Sequence, residues 1–260
     1  MSKKAILLVS FGTSHLDTKV KTLDDIVKKV TGYFADYTIY EAYTSSIIIN
    51  ILKVRNQISV DTVEEALEKI LEDGINELIV QPTHLLNGIE YEIIERIMKQ
   101  YQTRFPKLLL GAPILTATQD YHYIAEHFPK VLPKFKEKEA ILLMGHGTSH
   151  YANSAYGALN DMLQTRGYGY IYVGTVEAYP NLSDLIRRIQ HKGYRKVYLT
   201  PFMMVAGEHA KNDMAGEEAT SWENILKEEG YEVEVILKGL GEYDFITQLI
   251  FQHIENAKEL

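Results

Sequence analysis

The sequence predicts an α/β protein built from two similar, doubly wound parallel-sheet domains, and three observations carry that prediction. Residues 5–15, AILLVSFGTSH, recur as residues 140–150, AILLMGHGTSH, identical at eight of eleven positions. An internal repeat at about half the chain length marks a duplication. Short apolar, β-branched runs alternate with longer amphipathic stretches through both halves, the order expected of parallel strands covered on both faces by helices. The chain has 260 residues and is 46% hydrophobic, enough for two cores of ordinary size.

Taken in order, the strand signals of the first half are AILLVSF (5–11), YTIYEAY (37–43), ELIVQPT (77–83) and LLLGAP (108–113). Amphipathic stretches near 17–34, 62–73, 88–104 and 119–134 supply the helices around them. The second half repeats the order with AILLMG (140–145), YIYVGTVEAY (170–179), KVYLTPFMM (196–204) and VEVILKG (233–239). The segment PKVLPKFKEKE (129–139), with two prolines and a charge run, is the expected boundary, giving domains 1–136 and 137–260.

Composition excludes several classes. A net charge of -8 opposes a general nucleic-acid binder, which needs a basic field to neutralise phosphates. The absence of Cys excludes disulfides, Cys-ligated zinc and iron–sulfur clusters. The N-terminal MSKKAILLVSFGTS has an apolar run of only about seven residues, no small-residue cleavage site and an internal copy, so it reads as a strand and not as a secretory signal. No stretch approaches the roughly 18 apolar residues that span a bilayer. These features predict a cytoplasmic protein without membrane partners, and a homo-oligomer is compatible with them.

In doubly wound sheets ligands bind beyond the carboxyl ends of the strands. There the two halves differ in a telling way: Phe11 of the first copy stands where His146 stands in the second. Where both copies keep one scaffold and only one acquires an ionisable side chain, that side chain serves a site. After the second strand, YEAY sets Glu41 opposite Glu177 of VEAY. After the third, QPTHLLNGIEYE aligns with TPFMMVAGEHAKND on the shared Pro and Gly, and Glu90 falls opposite His209. The second half thus offers His146, Glu177 and His209 from three consecutive strand-end loops. Two imidazoles and a carboxylate form a ligand set for a divalent transition metal with positions left for water or substrate. Each residue also has a plainer reading: His146 as a packed or capping residue, Glu177 as a loop anchor or helix cap, His209 as a surface residue at a helix start.

The motifs VSFGTSHLDT, EAYTSSIIINIL, QPTHLLNGIEYE and LGAPIL, followed by MGHGTSH, VGTVEAYP, MMVAGEHAKNDMAGEE and SWENILKEEG, resemble the anaerobic sirohydrochlorin cobalt chelatases of the CbiK type, class II chelatases, from Lys3 to about His253. The resemblance implies two similar α/β domains around a cleft. It implies insertion of Co²⁺ into sirohydrochlorin on the oxygen-independent route to cobalamin, with cobalt as substrate metal and no organic cofactor. By motif it implies His146, Glu177 and His209 as metal ligands, and Glu90 as an acid facing the cleft from the first domain. Glu90 could equally be a first-turn acid favoured by the helix dipole.

The chemistry is intelligible on its own terms. Insertion requires a loosely held ion, loss of its waters and removal of two protons from pyrrole nitrogens. An imidazole with an ordinary pKa near 6.5 can both ligate and accept a proton, so His146 and His209 are the expected catalytic groups, with Glu177 compensating charge. His84, in QPTH, matches Met203 in the repeat and is explained equally well by a backbone contact. Sirohydrochlorin is a polycarboxylate and this protein is acidic, so local positive potential must bind it. Backbone amides and the hydroxyls of Thr13, Ser14, Thr148 and Ser149 in the FGTS and HGTS loops, with Arg55 and Lys211, are the expected anion contacts, and Phe202, Met203 and Met204 an expected apolar wall.

Rival readings follow from the same residues. An N/O ligand set separates cobalt from iron or nickel poorly, which leaves a ferrochelatase or a nickel chelatase as alternatives. A non-catalytic metal or tetrapyrrole carrier would bind without turnover. A phosphatase reading of GHGTS lacks an Arg beside the His and a Ser nucleophile elbow.

Overall fold

The computed structural model describes residues 3–260 and divides them into two compact units. Met1 and Ser2 of the MSKK segment lie outside the described residues. The first unit contains residues up to Thr116 together with Gly241–Leu260, and the second is Ala117–Leu240.

The first unit runs β1 (Lys4–Ser10), α1 (Leu16–Lys21), α2 (Leu23–Tyr33), β2 (Thr38–Tyr43), α3 (Ser46–Asn56), β3 (Asp61–Thr62), α4 (Val63–Glu72), β4 (Glu77–Pro82), α5 (Ile89–Tyr101) and β5 (Lys107–Leu110). The second runs α6 (Thr118–Val131), β6 (Glu139–Gly145), α7 (Ser154–Thr165), β7 (Ile171–Thr175), α8 (Leu182–Ile189), β8 (Lys196–Pro201), α9 (Trp222–Glu228) and β9 (Glu232–Val235). The chain then adds α10 (Asp244–Glu255) and β10 (Lys258–Glu259) to the first unit.

The sheets have the orders β10-β5-β4-β1-β2-β3 and β7-β6-β8-β9. All ladders are parallel except β10 on β5. This is the α/β class expected, with the strand order reversing beside β1 and beside β6. The central strands of both units are almost wholly buried: Ala5–Val9 and Ala140–Met144 are no more than 2% exposed. That burial is why they read as continuous apolar runs without alternation. Amphipathic helices close the layers. In α4, Val63, Ala66, Leu67 and Ile70 face the core at helical spacing, and Thr62 and Glu65 form a reciprocal capping box at its start.

The division of the chain differs from the expected boundary near 129–139. Pro129 lies within α6, whose Phe128 is 1% exposed and packs on Phe202 of the same unit, ring centroids 5.6 Å apart. The prolines and charges there mark the end of a helix and not a linker. At the other end, His253 of α10 lies 3.0 Å through Nδ1 from the Ala112 carbonyl, and Tyr33 of α2 stacks on Phe251 at 4.3 Å, tying the C-terminal helix to the first unit. Three further features depart from the sequence reading. The 17–34 stretch is two helices, α3 appears where no helix was expected, and the 170–179 strand stops at Thr175. Among the described residues no helix is long and apolar enough to cross a membrane.

Candidate metal centre

β6 delivers the HGTS loop. Gly147 has φ +89, and a Cβ there would sit 2.9 Å from the Ala178 amide nitrogen and 3.0 Å from the Thr175 side chain, so only glycine fits this turn. The turn brings the β6 and β7 loops together: Val176 N–H donates to the Gly145 carbonyl (3.0 Å) and Glu177 N–H to the His146 carbonyl (2.9 Å). Asn153 Nδ2 donates to the Tyr179 carbonyl (2.6 Å), a second tie between the same loops.

His209 comes from the loop after β8. Gly239 allows that loop's close approach, since a Cβ would meet the Met204 carbonyl and the Ala206 nitrogen. Leu240 N–H donates to the Met203 carbonyl (2.8 Å). His209 then leads into a π-helical stretch, Ala210–Met214, a local widening often found where a helix serves a site. Gly216 closes it, because a Cβ there would run into the Asn212 carbonyl oxygen.

His146, Glu177 and His209 converge, each offering one ligand atom, all within 4.8 Å of one another. The two imidazoles meet edge to face, centroids 4.4 Å apart and planes at 90°. Glu177 Oε2 is 3.7 Å from His146 Nδ1. His146 Nδ1 lies 2.8 Å from the Gly147 carbonyl, and His209 Nδ1 2.7 Å from Asp213 Oδ2. A carbonyl and a carboxylate accept, so each Nδ1 is the donor, and in the neutral imidazole Nε2 is the atom left to ligate. Side-chain exposures of 46% for His146, 53% for Glu177 and 33% for His209 leave the donors open to an incoming ligand. Metal–nitrogen bonds of about 2.1 Å require donors closer than the present spread.

Asp213 was not foreseen, although a His-x-x-x-Asp spacing on a helical turn places a carboxylate beside the imidazole. Asp213→Ala is expected to weaken Co²⁺ binding by roughly 10–100-fold, and Asp213→Asn, which keeps an acceptor but no charge, by less. Calorimetric titration of the folded variants reads both. Equal affinity in all three proteins would remove Asp213 from the site.

The first unit's counterparts are placed by strand register, and one expectation is corrected. Ser10 pairs with Tyr43 as Gly145 pairs with Thr175. Thr44 N–H bonds the Ser10 carbonyl and Ser45 N–H the Phe11 carbonyl, repeating the bonds of Val176 and Glu177. The structural counterpart of Glu177 is therefore Ser45, the N-cap of α3, and not Glu41, which lies within β2 opposite Leu8. Burial pushes the Glu41 carboxyl up from its usual pKa, Lys19 opposing and Asp24 adding to the shift. Glu90 stands half-buried in the first turn of α5 after Gly88. His84 is also half-buried, but its Nδ1 is enclosed without a partner and its Nε2 is 3.4 Å from Thr44 Oγ1. Burial lowers its pKa to about 4, so it is neutral near pH 7.

Other expected contacts are spent elsewhere. Thr13 and Thr148 Oγ1 accept the His15 and His150 N–H groups at 3.2 and 3.1 Å, and Thr148 N–H donates to Asn153 Oδ1 at 3.1 Å. These bonds use the two hydroxyls as acceptors, which leaves each O–H as a donor. Phe202 is fully buried and Met203 packs on the second unit's core, so they form no exposed wall. Arg55 lies in the last turn of α3, at the end away from the strand-end loops.

A family model described as cobalt chelatase (CbiK) matches residues 4–259. The sirohydrochlorin cobaltochelatase of Salmonella typhimurium is 36% identical over 255 residues, covering 98% of this chain and 96% of the relative. The sirohydrochlorin cobaltochelatase CbiKC of Nitratidesulfovibrio vulgaris is 30% identical over 260 residues, covering 99% and 91%. Among solved structures, SirB from Bacillus subtilis with Fe³⁺ superimposes with a TM-score of 0.68 at 15% identity, covering 98% of this chain and 95% of that one. At that identity the likeness speaks to fold.

Proposed function

Because the chain belongs to the cobalt chelatase (CbiK) family, we propose that it inserts Co²⁺ into sirohydrochlorin for cobalamin biosynthesis, with His146, Glu177 and His209 holding the substrate ion. The observation that supports this assignment is the convergence of two imidazoles and one carboxylate within 4.8 Å on three neighbouring strand-end loops.

The reaction exchanges one Co²⁺ for the two protons of the free-base macrocycle. A three-residue N/N/O set suits it, since it binds the ion firmly enough to strip waters yet leaves positions through which pyrrole nitrogens displace the protein ligands one by one. The carboxylate of Glu177 offsets part of the ion's charge. As each imidazole is released its Nε2 becomes free to take a pyrrole proton.

The test is an anaerobic absorbance assay of the purified protein with sirohydrochlorin and Co²⁺, Fe²⁺ or Ni²⁺ in parallel. Acceleration greatest with Co²⁺ is expected. Faster insertion of Fe²⁺ or Ni²⁺ would reassign the metal. Binding of pigment and metal with no gain over the uncatalysed rate would make the protein a carrier.

A further inference from the structure

The first unit keeps the loop scaffold of the second but not its ligand set. By register Ser45 stands where Glu177 stands, and by the repeat Phe11 takes the place of His146 and Glu90 that of His209. A phenyl ring, a hydroxyl and one carboxylate are not a transition-metal set. The same three loops instead carry large apolar side chains to solvent. Phe11 after β1, Ile47 in the first turn of α3 and Ile89 in the first turn of α5 are each half exposed or more. Hydrogen bonds hold these loops together: Ser45 N–H donates to the Phe11 carbonyl (3.3 Å), Thr83 Oγ1 to Ser10 Oγ (2.8 Å), and His84 Nε2 lies 3.4 Å from Thr44 Oγ1. Gly12, at φ +99, turns the chain so closely over Tyr43 that a Cβ would sit 2.5 Å from its ring, and the Phe11 side chain is left outside the core.

Single exposed apolar residues need no explanation, but three on neighbouring loops at the carboxyl ends of a parallel sheet, where ligands of such sheets bind, do. The substrates differ in chemistry. The ion calls for nitrogen and oxygen donors, which the second unit offers. The macrocycle is a conjugated disc with apolar faces and carboxylates only at its rim, and it calls for an aromatic ring and branched aliphatic side chains. We propose that Phe11, Ile47 and Ile89 seat one face of the tetrapyrrole macrocycle, with Phe11 stacking on its conjugated system. This rests on the function proposed above. It gives the difference between Phe11 and His146 a meaning in both copies, since one position addresses the ring system in the first and the ion in the second. It also bears on how a protein of net charge -8 takes a polycarboxylate: an apolar seat draws the pigment by its faces and not by its carboxylates.

The test measures pigment affinity and not turnover, titrating the whole chain into metal-free sirohydrochlorin and following its absorbance. Phe11→Ser is expected to raise the pigment Kd roughly tenfold, and Phe11→Trp, which keeps a ring, to bind near the wild-type level. Ile47→Ser combined with Ile89→Ser should weaken binding by a similar factor. These losses should persist at high salt, because no charge pair is removed, while Tm and the Co²⁺ Kd stay at wild-type values. Val54→Ser, equally exposed but in the last turn of α3, is the control and should change nothing. An unchanged pigment Kd in Phe11→Ser, or an equal loss in Val54→Ser, would overturn the seat. So would a change in sedimenting mass in Phe11→Ser with an unmoved pigment Kd, which would give this face to a second copy of the chain. If the wild type binds pigment but does not accelerate insertion, the proposed function fails and the pigment Kd still decides the seat. A wild type that binds no pigment would overturn both.

Discussion

Replacing either His146 or His209 with Ala is expected to reduce anaerobic cobalt insertion by roughly 10²–10⁴-fold, the range for removing a group that both positions and transfers protons, while leaving the folded protein intact. The second half of that expectation follows from the geometry. Both rings are partly exposed, and their Nδ1 atoms face a local carbonyl and the carboxylate of Asp213. Truncating them opens no core cavity, so the change in stability should stay near ±0.5 kcal/mol. Thermal unfolding separates loss of function from loss of fold. The first unit supplies a control: Glu41→Gln, at the residue that mere motif matching would pair with Glu177, should leave Co²⁺ affinity unchanged. Substantial turnover in both His variants would sink the metal assignment, and a weakened ion in the Glu41 variant would undo the register argument.

That control shows where the sequence was readable and where it was not. Continuous apolar strands and an identical loop placed His146 at a strand end without coordinates, and the shared Pro and Gly placed Glu90 and His209 in matching helix starts. The EAY match misled because a three-letter identity outweighed register: β7 ends at Thr175, so Glu177 is a loop residue, whereas the Glu of the first EAY lies inside β2. Only backbone pairing distinguishes the two. α3 escaped notice for a different reason. Its apolar residues include Ile47 at 70% and Val54 at 72% exposure, and only Leu52 is buried, so no helical stripe stands out. Helix order also does not say which sheet a helix covers. α6 and α10 follow equivalent strands, β5 and β9, yet each belongs to the unit other than that of the strand before it. The proline-rich segment was therefore a sound turn signal and a poor domain boundary.

The duplication also allows a test in which the protein supplies its own substitution. The first copy carries Ser10 where the second carries Gly145. In the first unit that hydroxyl accepts from Thr83 Oγ1 at 2.8 Å, so a side chain is accommodated there. In the second unit the same volume is filled by the ring of Tyr156, 2% exposed, and a Cβ on Gly145 would lie well inside contact distance of it. Tyr156 also holds the HGTS loop, its hydroxyl oxygen 3.5 Å from the Gly147 nitrogen as acceptor. Gly145→Ser is thus expected to cost about 1–3 kcal/mol of overpacking strain, seen as a fall in Tm of roughly 2–10 °C. It should also displace His146, the next residue, and so weaken Co²⁺ binding even at temperatures where the protein stays folded. Combining it with Tyr156→Leu separates strain from a lost bond. If the clash is the cause, the double variant should be more stable than the sum of the single losses predicts. Simple additivity would mean that the ring does not press on this position, and that the glycine of the second copy must be explained in some other way.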